Sequence, residues 1–226
     1  MFNHIKHEIN IPFIKMLDTE NGHYYQREVN GKIYPSITTM LHAFPNPGIE
    51  RWKSTTPNWK EIGDSSMAVG TMMHEIAESY LNNQKTVKTF ADDKYEKDPW
   101  ELFEVLKPHL DEHINNIHAT ETKLYSDTLE LAGTVDLVAE YDGELSIIDF
   151  KNSRKPKVPS YIKQAKYYEQ GSAYSQMWKE CTGMEVKQVV IIVVSWDNKV
   201  RAFKVNAEEY MSSLWDMIIK FEYIKP

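Results

Sequence analysis

The 226-residue chain carries 33 acidic and 26 basic side chains, for a formal net charge of −7. Its length suits one sizeable core, and its acidic balance argues against whole-surface nucleic-acid binding while allowing a local basic groove. A single cysteine, Cys181, excludes an intramolecular disulfide and any four-cysteine zinc or iron–sulfur site within the chain.

Residues 1–20 read as an irregular surface arm. HYYQREVNGKIYPS (23–36) reads as a hairpin around Asn30-Gly31. SITTMLHAF predicts a short helix capped by Ser36 or Thr38; FPNPG (44–48) breaks it, and IERWKSTT (49–56) forms another. SSMAVGTMMHEIAESYLNNQ (65–84) is a strong helix with Met73, Ile76, Ala77 and Tyr80 as its apolar stripe. After a polar loop over 85–98, a helix is expected over 99–117, started by Pro99 and kinked or divided by Pro108. ETKLYSDTLELAG (121–133) predicts a strand.

That strand feeds GTVDLVAEYDGELSIIDFKNSRKPK (133–157), a hairpin about Asp142-Gly143. A two-residue loop pairs Tyr141 with Glu144. Counting back sets Asp149 opposite Asp136 and Lys151 opposite Thr134. Opposed carboxylates repel in a sheet, and a divalent cation removes that cost. Without cysteines the ligands are Asp, Glu, His and water, a set that suits Mg²⁺ or Mn²⁺. Beyond the hairpin come a long helix (159–183), a buried strand (186–196), a second strand (199–205) and an amphipathic closing helix (206–224).

The order predicts one α/β domain over 1–226, a mixed central sheet flanked by helices. Residues 1–120 form a mainly helical elaboration, and 121–226 form the core. Asp136 and Asp149 can hold a metal, and Lys151 can position water and neutralise charge developing on a phosphate. His74 shares a helix face with Glu78, which can orient the imidazole or a metal-bound water from behind. Gln164 and Tyr168 fall one turn apart on a helix. Lys151, Arg154, Lys155, Lys157, Lys163 and Lys166 lie in a 16-residue window without an acid, a phosphate track beginning at the metal site. Tyr34, Ser36, Thr38 and Thr39 are further candidate phosphate partners, hydroxyls beside a helix start. Trp52 and Trp59 sit in a segment able to arch over a strand.

GTVD…IIDFK resembles the PD-(D/E)XK nuclease superfamily, with Asp136 and the Asp149-Phe150-Lys151 triplet as its core. GTMMH matches the Gly-x-x-x-His signature of its RecB-like branch at Gly70 and His74, and QAKYY matches the branch's Gln-x-x-x-Tyr signature at Gln164 and Tyr168. YPSITTML and VVIIVVSW narrow the likeness to exonucleases of mitochondrial genome maintenance and their phage relatives, over roughly residues 30–222. The resemblance implies a restriction-endonuclease-like fold and a metal-dependent exonuclease that prefers single-stranded DNA with free ends and serves DNA repair or recombination. It implies that His74, Asp136, Asp149 and the Phe150 carbonyl ligate Mg²⁺ or Mn²⁺, that Lys151 orients water, and that Gln164 and Tyr168 support the site. Asn152, Ser153, Arg154, Lys155 and Lys157, with Ser36 and Thr38, are the expected DNA contacts. Val135 replaces the motif's proline, and Asn152 stands where relatives carry Thr or Ser.

The alternatives are a structure-specific or duplex endonuclease on the same fold, a catalytically silent DNA-binding module, and an RNA nuclease. No stretch approaches the ~18–20 apolar residues of a membrane span. MFNHIKHEIN lacks a secretory apolar run and organellar presequence character. The expectation is a monomer, without a membrane partner, in the cytoplasm of a bacterial or phage-infected cell.

Overall fold

The computed structural model describes residues 1–6, 14–86 and 96–224. Its centre is a five-stranded sheet in the order β4-β5-β6-β7-β8. The strands are β4 (Ile114–Ser126), β5 (Leu131–Tyr141), β6 (Glu144–Ser153), β7 (Gln188–Ser195) and β8 (Lys199–Asn206). All neighbours are antiparallel except β6 and β7. That parallel pair needs a crossover connection, which α5 (Pro159–Gln164) and α6 (Tyr167–Thr182) provide.

Both sheet faces are covered, as the apolar residues on either side of β5 and β6 predict. One face packs on α1 (Ile37–His42), α6 and α7 (Glu208–Ile224), around Val138, Ile147, Met177, Trp178 and Leu214. The other packs on α3 (Trp59–Leu81) and α4 (Pro99–His113), around Met73, Ala77, Phe103, Leu106 and Ile148. Ser36 caps α1, its hydroxyl accepting from Thr39 N. The outlier is α2 (Pro47–Thr55), which buries no residue.

Several boundaries differ from the sequence reading: the helix expected over 65–84 begins at Trp59, and the one expected over 159–183 is divided into α5 and α6. Residues 14–19 are not part of an irregular arm: they form β1 (Ile14–Thr19), which joins β2 (Gly22–Arg27) and β3 (Ile33–Pro35) in a small antiparallel sheet. The predicted helix over 99–117 stops at His113, because Ile114 and Ile117 enter β4 and pair with Tyr141 and Ala139. The helix neither divides nor ends at Pro108, whose ring lies on the exposed side. The predicted strand over 121–133 is the second half of β4, a turn at 127–130 and the start of β5. Most of the expected loop over 85–98 lies outside the described residues.

Candidate active site

The Asp142-Gly143 turn forms as predicted, with φ of 53° and 80°, the left-handed pair that a type I′ turn requires. From it β5 and β6 pair Tyr141 with Glu144 back to Leu137 with Ile148. There the ladder stops, one pair short of Asp136 and Asp149. Instead of a backbone carbonyl, the Asp136 carboxylate takes the Phe150 N–H, at 2.8 Å. The strands part at the acids, so Lys151 does not pair with Thr134; β6 continues on β7 as far as Ser153 with Ser195.

The sheet also brings a residue that sequence reading missed. On the other side of β5, Thr120 pairs with Leu137 and Thr122 with Val135, so Glu121 lies across from Asp136. Glu121 has a φ of 41°, which interrupts the regular alternation of β4. Three adjacent strands thus set Glu121, Asp136 and Asp149 in one transverse row.

Helix α3 crosses this row. His74 Nδ1 lies 3.6 Å from Asp136 Oδ2, the ring stands edge-on to Phe150, and the Phe150 backbone is near enough to the imidazole to favour its protonated form slightly. Phe150 thus lies between the two, its ring against His74 and its N–H on Asp136. Glu78, one turn beyond His74, is close enough to Glu121 to disfavour its ionisation. Gly70 lets the helix approach: a Cβ there would lie 2.3 Å from Asn152 Nδ2.

The electrostatics suit a cation. Burial holds the His74 imidazole down to about 4, with the Lys151 charge adding to the effect, so the ring is neutral and keeps a lone pair at neutral pH. Burial pushes Asp149 up to about 6 against the opposing pull of Lys151; Asp136 is raised for the same reason. Glu121 is exposed as a residue, but its carboxyl end points into the acids; partial desolvation, then the charges of Asp136, Glu78 and Asp149, push it up to about 8. His74, Glu121 and Asp136 each offer one ligand atom, all within 4.8 Å of one another. Oxygen-rich sites with one imidazole fit Mg²⁺ or Mn²⁺ better than soft metals.

Lys151 Nζ sits 2.6 and 2.8 Å from the two oxygens of buried Asp149 and 4.9 Å from the centre of the Tyr167 ring. That tyrosine is not the one the sequence signature pointed to. Lys166 has a φ of 60° and separates α5 from α6, so Gln164 and Tyr168 do not share a helix face. Gln164 is exposed, and Tyr168 is buried in the core against Tyr210. The same spacing recurs at Gln170 and Tyr174, within one uninterrupted helix. The Gln170 side chain is near enough to the Tyr174 hydroxyl to favour its ionisation, and Asp136 and Asp149 are near enough to oppose it. Gly133 makes room for this ring, since a Cβ there would fall 2.7 Å from it. Tyr167, Gln170 and Tyr174 follow the i, i+3, i+7 spacing of one face.

Most expected DNA contacts are already engaged within the fold. Asn152 donates to Ser66 O at 3.0 Å and accepts from Trp196 Nε1 at 3.1 Å, pinning α3 to the end of the sheet. Ser153 is buried and donates to Lys155 O. Arg154 is bound to Glu96 and Ser66 and lies over the Trp196 ring. Ser36 is occupied by its cap. Thr38 borders a cavity beside Lys151, Lys157 lies over the Tyr161 ring, and Lys155 is exposed.

The profile of the PD-(D/E)XK nuclease superfamily matches residues 55–217, a span that holds all of the acids, His74 and Lys151. The chain belongs to that superfamily. This nuclease is also 30% identical over 135 residues to mitochondrial genome maintenance exonuclease 1 of Homo sapiens, covering 55% of its own chain and 38% of the human protein. The mouse protein of the same name, from Mus musculus, matches at 30% over 135 residues, 54% of this chain and 38% of the other. The matched segment thus spans well under half of these relatives. A crystal structure from Eubacterium rectale superposes with a TM-score of 0.45 at 13% identity, over 68% of this chain and 63% of that one. Among the described residues no helix is long and apolar enough to cross a membrane.

Proposed function

We propose that this nuclease is a Mg²⁺- or Mn²⁺-dependent deoxyribonuclease that trims single-stranded DNA from an end. The observation that carries the reading is the meeting of His74, Asp136, Asp149 and Lys151 where β5 and β6 part. The relatives named as exonucleases favour end-dependent action.

In this reading His74, Asp136, Asp149, Glu121 and the Phe150 carbonyl hold the cation, with Glu78 behind His74. When bound, the ion lowers the pKa of water and offsets charge on the phosphate. The chain supplies the rest. Neutral His74 keeps its lone pair free. Asp149 fixes the Lys151 ammonium beside the reacting phosphate, where it orients water and stabilises the extra negative charge. Water attacks phosphorus, the bridging P–O bond breaks, and the leaving oxygen takes up a proton. Tyr167 and Gln170 border Lys151 and complete the pocket.

End-labelled single-stranded, duplex and circular DNA, with an RNA strand alongside, would be digested in Mg²⁺, Mn²⁺ or EDTA by wild type and Lys151→Ala. The expected result is ion-dependent, Lys151-dependent loss of linear single strands. DNA that survives wild type in both ions overturns the enzyme reading. Cleavage of circles at equal rate overturns end dependence.

A further inference from the structure

Beside Lys151 a cavity of about 640 Å³ opens toward α1, α2 and the α5–α6 corner. That volume falls within the roughly 300–1,000 Å³ of small-molecule sites. Local sequence explains its walls. Pro45-Asn46-Pro47 ends α1 and starts α2, leaving Phe44 on the cavity side. Asn46 caps α2 through Gly48 N and Ile49 N, and its amide donates to Gln164 O at 3.3 Å. This bond holds α2, which buries nothing of its own, to the end of α5.

The lining has two chemistries. Phe44, Tyr161 and Tyr167 present aromatic surface, with Tyr161 and Tyr167 set edge to face. Lys53, Lys151 and Lys166 are opposed by one carboxylate, Glu50, in the same wall. The net charge of −7 is therefore inverted here. Lys53 is tied to Glu50 at 3.1 Å and Lys151 to Asp149. Lys166 differs: among the described residues its ammonium forms no ion pair, donating to the Phe44 carbonyl at 3.3 Å and lying over the Phe44 ring, with the Glu169 charge near enough to favour its protonated form. Its φ of 60° is a conformation that a lysine seldom adopts, and its side chain lines the cavity. Aromatic faces with an ammonium outside any ion pair of the described residues match a nucleobase and a phosphate.

We infer that this cavity is a nucleotide subsite, holding the nucleotide next to the scissile phosphate with its base on the Phe44–Tyr161–Tyr167 wall and its far phosphate on Lys166. The inference rests on the proposed deoxyribonuclease function and adds a consequence: a released 5′- or 3′-mononucleotide competes with the next strand end.

The test measures binding of dAMP in Ca²⁺ by calorimetry, and inhibition of single-strand digestion by dAMP in Mg²⁺, for wild type and Lys166→Asn. Asparagine tolerates the left-handed backbone, so this variant removes charge without forcing the corner to refold; Phe44→Leu is a second variant. Deoxyadenosine and inorganic phosphate are run as the two halves of the ligand, and the 3′-phosphate isomer as its alternative. The expected result is competitive inhibition by one isomer, binding weakened about tenfold or more in Lys166→Asn, and weaker binding of either half alone. A protein that digests DNA but binds neither isomer, or binds them equally well after Lys166→Asn, overturns the subsite while leaving the nuclease reading intact. Absence of digestion overturns the nuclease reading, and the calorimetric comparison still decides whether Lys166 binds a nucleotide.

Discussion

Gly70 offers the sharpest test of how the site is assembled. In most helices Gly→Ala stabilises, by about 1 kcal/mol of propensity. Here an added Cβ would meet Asn152 Nδ2 at 2.3 Å, where carbon contacts settle at about 3.5–4.0 Å. Either α3 moves away from β6 by more than about 1 Å, or Asn152 leaves Ser66 O and Trp196 Nε1. Overpacking costs about 1–3 kcal/mol, and losing two hydrogen bonds with their partners left unpaired costs a similar amount. Against the propensity gain, Gly70→Ala should destabilise by about 1 kcal/mol. In an Asn152→Ala background the obstacle is gone, and the same substitution should stabilise by about 1 kcal/mol. The coupling is then about 2 kcal/mol, well above the roughly 0.5 kcal/mol within which independent sites add. Urea unfolding of the four proteins in EDTA, followed by circular dichroism, measures it. Because His74 lies one turn beyond Gly70, Mn²⁺ affinity should fall in the single variant as well. Gly70→Ala stabilising both backgrounds alike would refute the reasoning.

Asp149 should make metal-free stability depend on pH. Its folded pKa of about 6 lies above the unfolded value of about 3.9, so the stability it lends is full below the unfolded value and is lost as pH rises through 6. Asp149→Asn should therefore gain on wild type between pH 4 and pH 7 by on the order of 2–3 kcal/mol in EDTA denaturation series; a constant difference across that range counts against it. Glu121→Gln should weaken Mn²⁺ binding by at least the roughly 10–100-fold typical of supporting groups, read by calorimetry, and unchanged affinity would remove Glu121 from the metal site. Tyr167→Leu should slow cleavage by roughly 2–30-fold through loss of the ring under Lys151, whereas Tyr167→Phe should not; equal losses in single-turnover rates would point to the hydroxyl instead.

The hairpin was legible because an Asp-Gly turn fixes register, and with it the meeting of Asp136 and Asp149. Sequence alone did not reveal that the ladder opens at those acids, since a carboxylate accepting a backbone N–H leaves no mark on alternation. Glu121 escaped because its left-handed φ lies in a segment that seemed to begin a strand, whereas β4 had begun seven residues earlier at Ile114. The same spacing of Ile114 and Ile117 satisfies a helix face and a bulged strand, so the α4–β4 boundary carried no signal. Gln164 and Tyr168 fitted a signature within a pattern that reads as one helix. Only the backbone at Lys166 breaks that helix, with neither glycine nor proline to announce it. Asn152 and Arg154 read as DNA contacts; their partners within the fold, Ser66, Trp196 and Glu96, lie far away in sequence.

The Phe150 amide has a consequence for spectroscopy. Its proton is held by the Asp136 side chain and not by a neighbouring strand, so its chemical shift and its exchange with solvent follow the charge on that carboxylate. A single backbone resonance in the middle of β6 thus serves as a built-in gauge of the cluster. It would shift as Asp136 is neutralised by acid or engaged by an ion, while amides in the Leu137–Tyr141 ladder stay still.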